Sequence, residues 1–207
     1  GQFPPALILE FRKALPAVQR RLGPVDLYIW GREGIAIAEQ SSRSWETAAE
    51  YFRTTPEVLL SLEFFQFLPW TQAGKELAQA LPALGTAYFQ ASAETLLRLP
   101  ANLLANWAQE GRALYKGDWR SSSLACRFFE LSPQLLYHVK FVEIKVLLRF
   151  LDRLAIGSHE LAVECLNLAP EILGELDSGH RAAFLNLSCL LAEVSPRDAR
   201  VCFEVAG

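Results

Sequence analysis

Apolar and small residues recur along this chain with a helical period, and they recur in blocks. A small residue stands at Ala48, Gly85, Ala125, Ala162 and Ala199. Four positions later comes a bulky apolar one: Phe52, Phe89, Phe129, Leu166 and Phe203. From each small residue to the next large anchor is 22 residues, Ala48 to Trp70, Gly85 to Trp107, Ala125 to Leu147 and Ala162 to Phe184, and Ile8 to Trp30 keeps the same interval although Ile8 is not small. The first three anchors open the form W-x3-G-x2-[LI]: Trp30-Gly34-Ile37, Trp70-Gly74-Leu77 and Trp107-Gly111-Leu114. Positions i, i+4 and i+7 lie on one face of a helix, and no comparable period-two alternation competes with them.

Self-similarity at a fixed period of this length marks a helical repeat protein. The pattern predicts an all-α, right-handed α-α superhelix, an armadillo- or HEAT-like solenoid of about five three-helix repeats of 37–40 residues. The boundaries fall at a partial unit 1–22 and repeats 23–62, 63–99, 100–139, 140–176 and a truncated 177–207, all in one domain. Helix A carries the Trp-Gly-Leu face. Helix B begins after Ser44, Ser121, Ser158 or Ser195, whose hydroxyls can cap a first turn, while Pro82 and Pro196 suit the first helical position. Helix C begins after Thr55, Ser92 or Ser132, with Pro56 and Pro133 at its first position. Small residues at the B positions let B approach A closely, and stacked units bury together what one cannot bury alone.

Composition narrows the function classes. Apolar residues make up 51% and charged residues 21% of the 207, so the chain is globular. A net charge of −3 gives no footprint for nucleic-acid phosphates. No apolar run reaches about 18 residues, so no transmembrane helix is expected. The start, Gly1-Gln2-Phe3-Pro4, lacks a basic region followed by an apolar core, so no signal peptide is expected. Four scattered cysteines without CxxC fit unpaired thiols and a reduced, cytoplasmic setting.

No residues form a catalytic constellation, and no cofactor or metal is expected. His138, His159 and His180 are evenly spaced but fall at different repeat positions, which does not suit convergent metal ligation. Two tryptophans, Trp45 and Trp119, break the repeat. Trp119 closes the segment Tyr115-Lys116-Gly117-Asp118-Trp119-Arg120, in a connection three residues longer than its counterpart in the preceding repeat. Solenoid loops often carry binding residues, and exposed Trp, Tyr and Arg are common interface anchors. Tyr115, Lys116, Asp118, Trp119, Arg120 and Trp45 are therefore the candidate partner-binding residues. At the C-terminal end, Val201, Phe203 and Val205 are expected to leave an apolar flank, suited to a fragment of a longer protein or to a homodimer through the last repeat.

The blocks Trp119 to Leu136 (WRSSSLACRFFELSPQLL) and Ala48 to Leu59 (AAEYFRTTPEVL) resemble the helical N-terminal regions of certain large bacterial proteins. Those proteins end in a von Willebrand A domain and act with MoxR-type AAA+ ATPases in activating enzymes such as nitric oxide reductase or Rubisco. This chain has no D-x-S-x-S metal-adhesion motif and so no such domain. The resemblance implies a non-catalytic interaction scaffold or adaptor with a protein partner, an AAA+ ATPase. Two alternatives are a small-ligand binder with a pocket between Trp-bearing helices, and a HEAT-like enzyme such as a DNA glycosylase. The latter needs a basic face that this acidic chain does not favour.

Overall fold

Residues 3–205 are described by a computed structural model. Among them are eleven α-helices and no strand: α1 (Pro5–Gln19), α2 (Pro24–Ala38), α3 (Ser44–Val58), α4 (Phe64–Ala80), α5 (Pro82–Leu96), α6 (Leu104–Leu114), α7 (Trp119–His138), α8 (Phe141–Gly157), α9 (His159–Glu175), α10 (Ser178–Val194) and α11 (Pro196–Val205). A short 3-10 turn, Ala101–Leu103, leads into α6. The all-α repeat architecture expected from the spacing is present. No helix among the described residues is long and apolar enough to cross a membrane.

The chain forms two compact units, Gly1–Ala108 and Gln109–Gly207. In the first, α1, α3 and α5 lie side by side, and α2 and α4 pack on α3 and α5 as a second layer. In the second, α7, α9 and α11 form one layer, with α8 and α10 packed on α9 and α11.

Each repeat holds two helices rather than three. Segments B and C, expected as separate helices, are continuous, with Pro56 inside α3, Pro133 inside α7 and Pro170 inside α9. Ser/Thr-Pro reads as an N-cap followed by a first helical position, but these hydroxyls have other partners. Thr55 Oγ1 donates to the Tyr51 carbonyl (2.6 Å), Ser92 Oγ to that of Tyr88 (2.6 Å) and Ser132 Oγ to that of Phe128 (2.7 Å). The same hydroxyl then accepts a buried indole N–H: Trp30 Nε1 reaches Thr55 Oγ1 at 3.2 Å, and Trp70 Nε1 reaches Ser92 Oγ at 2.8 Å. A proline inside a helix loses a hydrogen bond and crowds the preceding turn. At Pro56 the flanking turn is fixed against helix A through the Thr55 hydroxyl, whereas Pro170 follows the buried Ala169 and has no such hydroxyl beside it.

The glycines of helix A have a definite role. A Cβ on Gly34 would fall within the ring of Phe52, one on Gly74 within that of Phe89, and one on Gly111 within that of Phe129. Each glycine thus receives the bulky B residue of its own repeat. The small B residues also pack closely. Ala48, Ala125, Ala162 and Ala199 are buried, and a Cβ on Gly85 would lie 2.7 Å from Ala78 Cβ and 2.9 Å from Thr47 Cγ2. Aromatic stacking joins successive repeats. Phe11 stacks on Trp30 (5.1 Å), Tyr51 on Trp70 (5.5 Å) and the Tyr88 ring on Trp107 (4.9 Å), each pair 19 residues apart. Tyr51 and Tyr88 also donate their hydroxyls to the carbonyls of Trp30 and Trp70, at 3.3 Å each. Burial raises both phenol pKa values well above the ordinary range.

Two details differ from the sequence reading. Only Ser158 and Ser195 of the four serines cap as expected, to the backbone N–H groups of Leu161 and Asp198 (3.3 Å each). Ser44 already lies within α3, and Ser121 lies in the first turn of α7, whose cap is Asp118. The expected apolar flank at the C-terminal end is smaller than Val201, Phe203 and Val205 together. Phe203 is buried between Phe150 (5.2 Å) and Phe184 (5.3 Å), leaving Val201 and Val205 exposed.

Gly74→Ala is expected to destabilise the chain by about 1–3 kcal/mol or more, because the Phe89 ring must move. Adding Phe89→Leu should recover part of that loss in thermal melts. Ser92→Ala leaves the Trp70 indole N–H without its acceptor and should cost about 1–3 kcal/mol. In a denaturation double-mutant cycle, Ser92→Ala should cost much less once Trp70→Phe has removed the N–H; strict additivity would show that this hydrogen bond contributes nothing.

Candidate functional site

The residues from Tyr115 to Arg120 form a locked turn and not a loose loop. Gly117, with φ of +96°, supplies the left-handed conformation that reverses the chain after α6. Asp118 then caps α7, its Oδ1 accepting the Ser121 N–H at 2.8 Å. The buried Ser121 Oγ accepts the Lys116 N–H (2.9 Å) and donates to the Asp118 carbonyl (3.1 Å). The Ser121 backbone N–H is the main reason that the Asp118 carboxyl lies below its usual pKa. Slight burial opposes this, and the positive potential of His159 assists it.

Because the cap is Asp118, Trp119 and Arg120 are the first two helical residues rather than loop residues. Trp119 is 75% exposed, and the Arg120 guanidinium lies 5.3 Å from its ring centroid. Tyr115 is held from the other side. The Arg112 guanidinium stands 5.4 Å from its ring and donates to its carbonyl at 3.2 Å. Lys116 pairs with Asp152 of α8 at 3.1 Å. Five of the six sequence-selected residues therefore belong to one ordered cluster in the second unit. The sixth, Trp45, lies half-buried in the first turn of α3, in the first unit.

Beside the cluster runs an open groove of about 420 Å³. Trp119, Arg120 and Ser123 line it from α7, and His159, Glu160 and Val163 from α9. The α9 residues were not legible as partners of Trp119, since the sequence separates them by about a repeat. Their only signal is that the His159-Glu160 pair directly follows the Ser158 cap. The groove combines a flat aromatic face, a cation and a carboxylate. That chemistry suits recognition of a polypeptide surface by stacking and charge-assisted hydrogen bonds.

No three His, Cys, Asp or Glu side chains among the described residues converge to hold a metal ion. His180 is paired with Asp177 at 2.5 Å, and His138 packs over Gly174. All four cysteines are unpaired. Burial pushes the Cys126 thiol up to about 11 and that of Cys165 up to about 12, and raises that of Cys189. These three stay protonated near neutral pH and make poor nucleophiles.

The lowered pKa of Asp118 has a consequence for stability. A carboxylate whose folded-state pKa is depressed stabilises fully above its unfolded-state value, and that contribution disappears as pH falls through the folded-state value. Asp118→Ala should therefore lower the melting temperature at neutral pH. The gap from the parent protein should close in acid, below the ordinary aspartate range. A gap that does not change with pH would show that the charged cap plays no part.

Compared with known proteins, the chain matches no family model, no curated protein and no solved structure.

Proposed function

We propose that this chain is a non-catalytic interaction scaffold that presents the Trp119–Arg120 platform to a protein partner. The observation that carries the reading is the exposure of Trp119 on a turn fixed by four local hydrogen bonds, those of Lys116, Ser121 (N–H and hydroxyl) and Ser122, whose Oγ donates to the Trp119 carbonyl at 2.6 Å. A large apolar ring presented on a backbone that is already ordered requires little backbone ordering on binding, which favours a hot-spot role. The resemblance of the Trp119–Leu136 and Ala48–Leu59 blocks to von Willebrand A-domain proteins supports a MoxR-type AAA+ ATPase as the partner, and an adaptor role. Unpaired thiols are in keeping with a reduced, cytoplasmic setting.

The test is binding of the immobilised chain to a purified MoxR-type AAA+ ATPase from the same host. Saturable binding is expected, and Trp119→Ala should weaken it by about tenfold or more. Trp119 is exposed, so circular dichroism of the variant should match the parent. No binding to the ATPase would reject this class of partner. Binding unchanged by Trp119→Ala would reject the platform.

A further inference from the structure

We propose that the Trp119 platform continues as a track across the first turns of α7, α9 and α11, and that this track reads an extended segment of the partner protein with an acidic, a basic and an acidic residue at intervals of three. The inference deepens the Trp119 reading and rests on it. Two grooves make up the track. The groove beside Trp119 meets a second one of about 530 Å³, lined by Leu161, Val194, Pro196 and Arg197, and the two share Gly157 and Ser158. Each groove lies between consecutive repeats, with both of its walls supplied by described helices and their connections.

Charge indicates the class of occupant. The second residue of α7 is Arg120, that of α9 is Glu160 and that of α11 is Arg197. All three are exposed and line one of the two grooves. Other charges near these turns are matched across repeats: Lys116 with Asp152 (3.1 Å), Arg153 with Glu193 (3.2 Å) and Glu164 with Arg200 (3.1 Å). Arg120, Glu160 and Arg197 have no partner of opposite charge among the described ion pairs. Successive helices of the layer thus present a positive, a negative and a positive group. A nucleic acid or an anionic lipid surface offers one sign of charge. A polypeptide carries both signs at set intervals, so the complement of this track is a polypeptide that reads negative, positive, negative.

Helix packing indicates the spacing. α7, α9 and α11 lie side by side in one layer. Packed helices stand about 8–10 Å apart, and an extended chain advances about 3.3 Å per residue. Three residues therefore span one step between helices, and the motif is acidic-x-x-basic-x-x-acidic, which reads alike in both chain directions. Exposed apolar residues accompany the charges. Trp119, Ile156 and Val194 are 75%, 80% and 85% exposed, one at each connection. Trp119 and Ile156 each stand six positions before the small residue of their B helix, Ala125 and Ala162. A following repeat is present in both cases and leaves them uncovered. They offer apolar contact to the spacer residues between the charged ones.

The probe is a labelled peptide with the core EPLKPLE, whose prolines favour an extended backbone. A second peptide has the core KPLEPLK, and a third has the composition of the first with its three charged residues adjacent. Fluorescence anisotropy on the whole chain should show saturable binding of the first peptide, and binding of the other two about tenfold weaker or worse. The chain carries a net charge of −3, so non-specific attraction would favour the second peptide instead. The R120E/E160R/R197E variant should reverse the order of the first two. All three positions are exposed, and circular dichroism verifies the fold. Absent binding of the first peptide, equal affinity for the first and either of the others, or a preference that the triple variant does not reverse would overturn the proposal. Such a result alongside Trp119-dependent binding of the ATPase would remove the track alone and leave the platform.

Discussion

A buried indole N–H needs an acceptor, and this need organises the repeat. In the first two repeats it is met by a single hydroxyl, Thr55 or Ser92, which at the same time donates to the carbonyl one turn back in its own helix. The relay ties helix A to helix B and fixes the rotation of both. The rings then fall into place, with phenylalanine seated on glycine within a repeat and tyrosine stacked on the next tryptophan. An indole N–H left unpaired inside this core would cost more than the net gain of an ordinary hydrogen bond, so tryptophan and hydroxyl are kept or lost together.

The fourth repeat bears this out from within the chain. Its anchor is Leu147, and the residue at the hydroxyl position is Ala169; both are fully buried. The donor and its acceptor have been removed as a pair. The second contact changes in the same way. Leu151 stands where other repeats have glycine, and Leu166 where they have phenylalanine. Two medium side chains replace one absent and one large, which conserves volume. The fifth repeat keeps Phe203 and therefore keeps a small residue, Ser188, at the glycine position; both are buried.

Spacing and residue size made most of this fold legible. The interval from small residue to anchor and the Trp-Gly-Leu face identify helices, repeat length and core positions, because period and volume are properties of the sequence itself. The division of B from C was misread because Ser-Pro and Thr-Pro have two meanings. A hydroxyl before proline can cap a new helix or bond back within an old one. Thr55 bonds back to Tyr51 and also accepts the Trp30 indole N–H, whereas Ser195 accepts the Asp198 N–H as a cap. Likewise, Ser121 was the expected cap of α7, and Asp118, three residues earlier, takes that place. The carboxylate accepts the Ser121 N–H, while the serine hydroxyl serves the loop. That choice draws Trp119 and Arg120 into the helix.

The same rule separates the aromatic residues of the repeat core from those outside it. Of the five tryptophans, Trp30, Trp70 and Trp107 stand at the repeat anchor and are fully buried. Trp45 and Trp119 stand outside the repeat pattern, and only Trp119 is largely exposed. No packing requirement of the repeat explains its presence. Its ring has an arginine on one side and an open groove beside it, and its backbone is fixed by hydrogen bonds that the core does not need. Exclusion from the packing pattern, a local hydrogen-bond network and exposure to solvent are the three observations on which the proposed binding role of Trp119 rests.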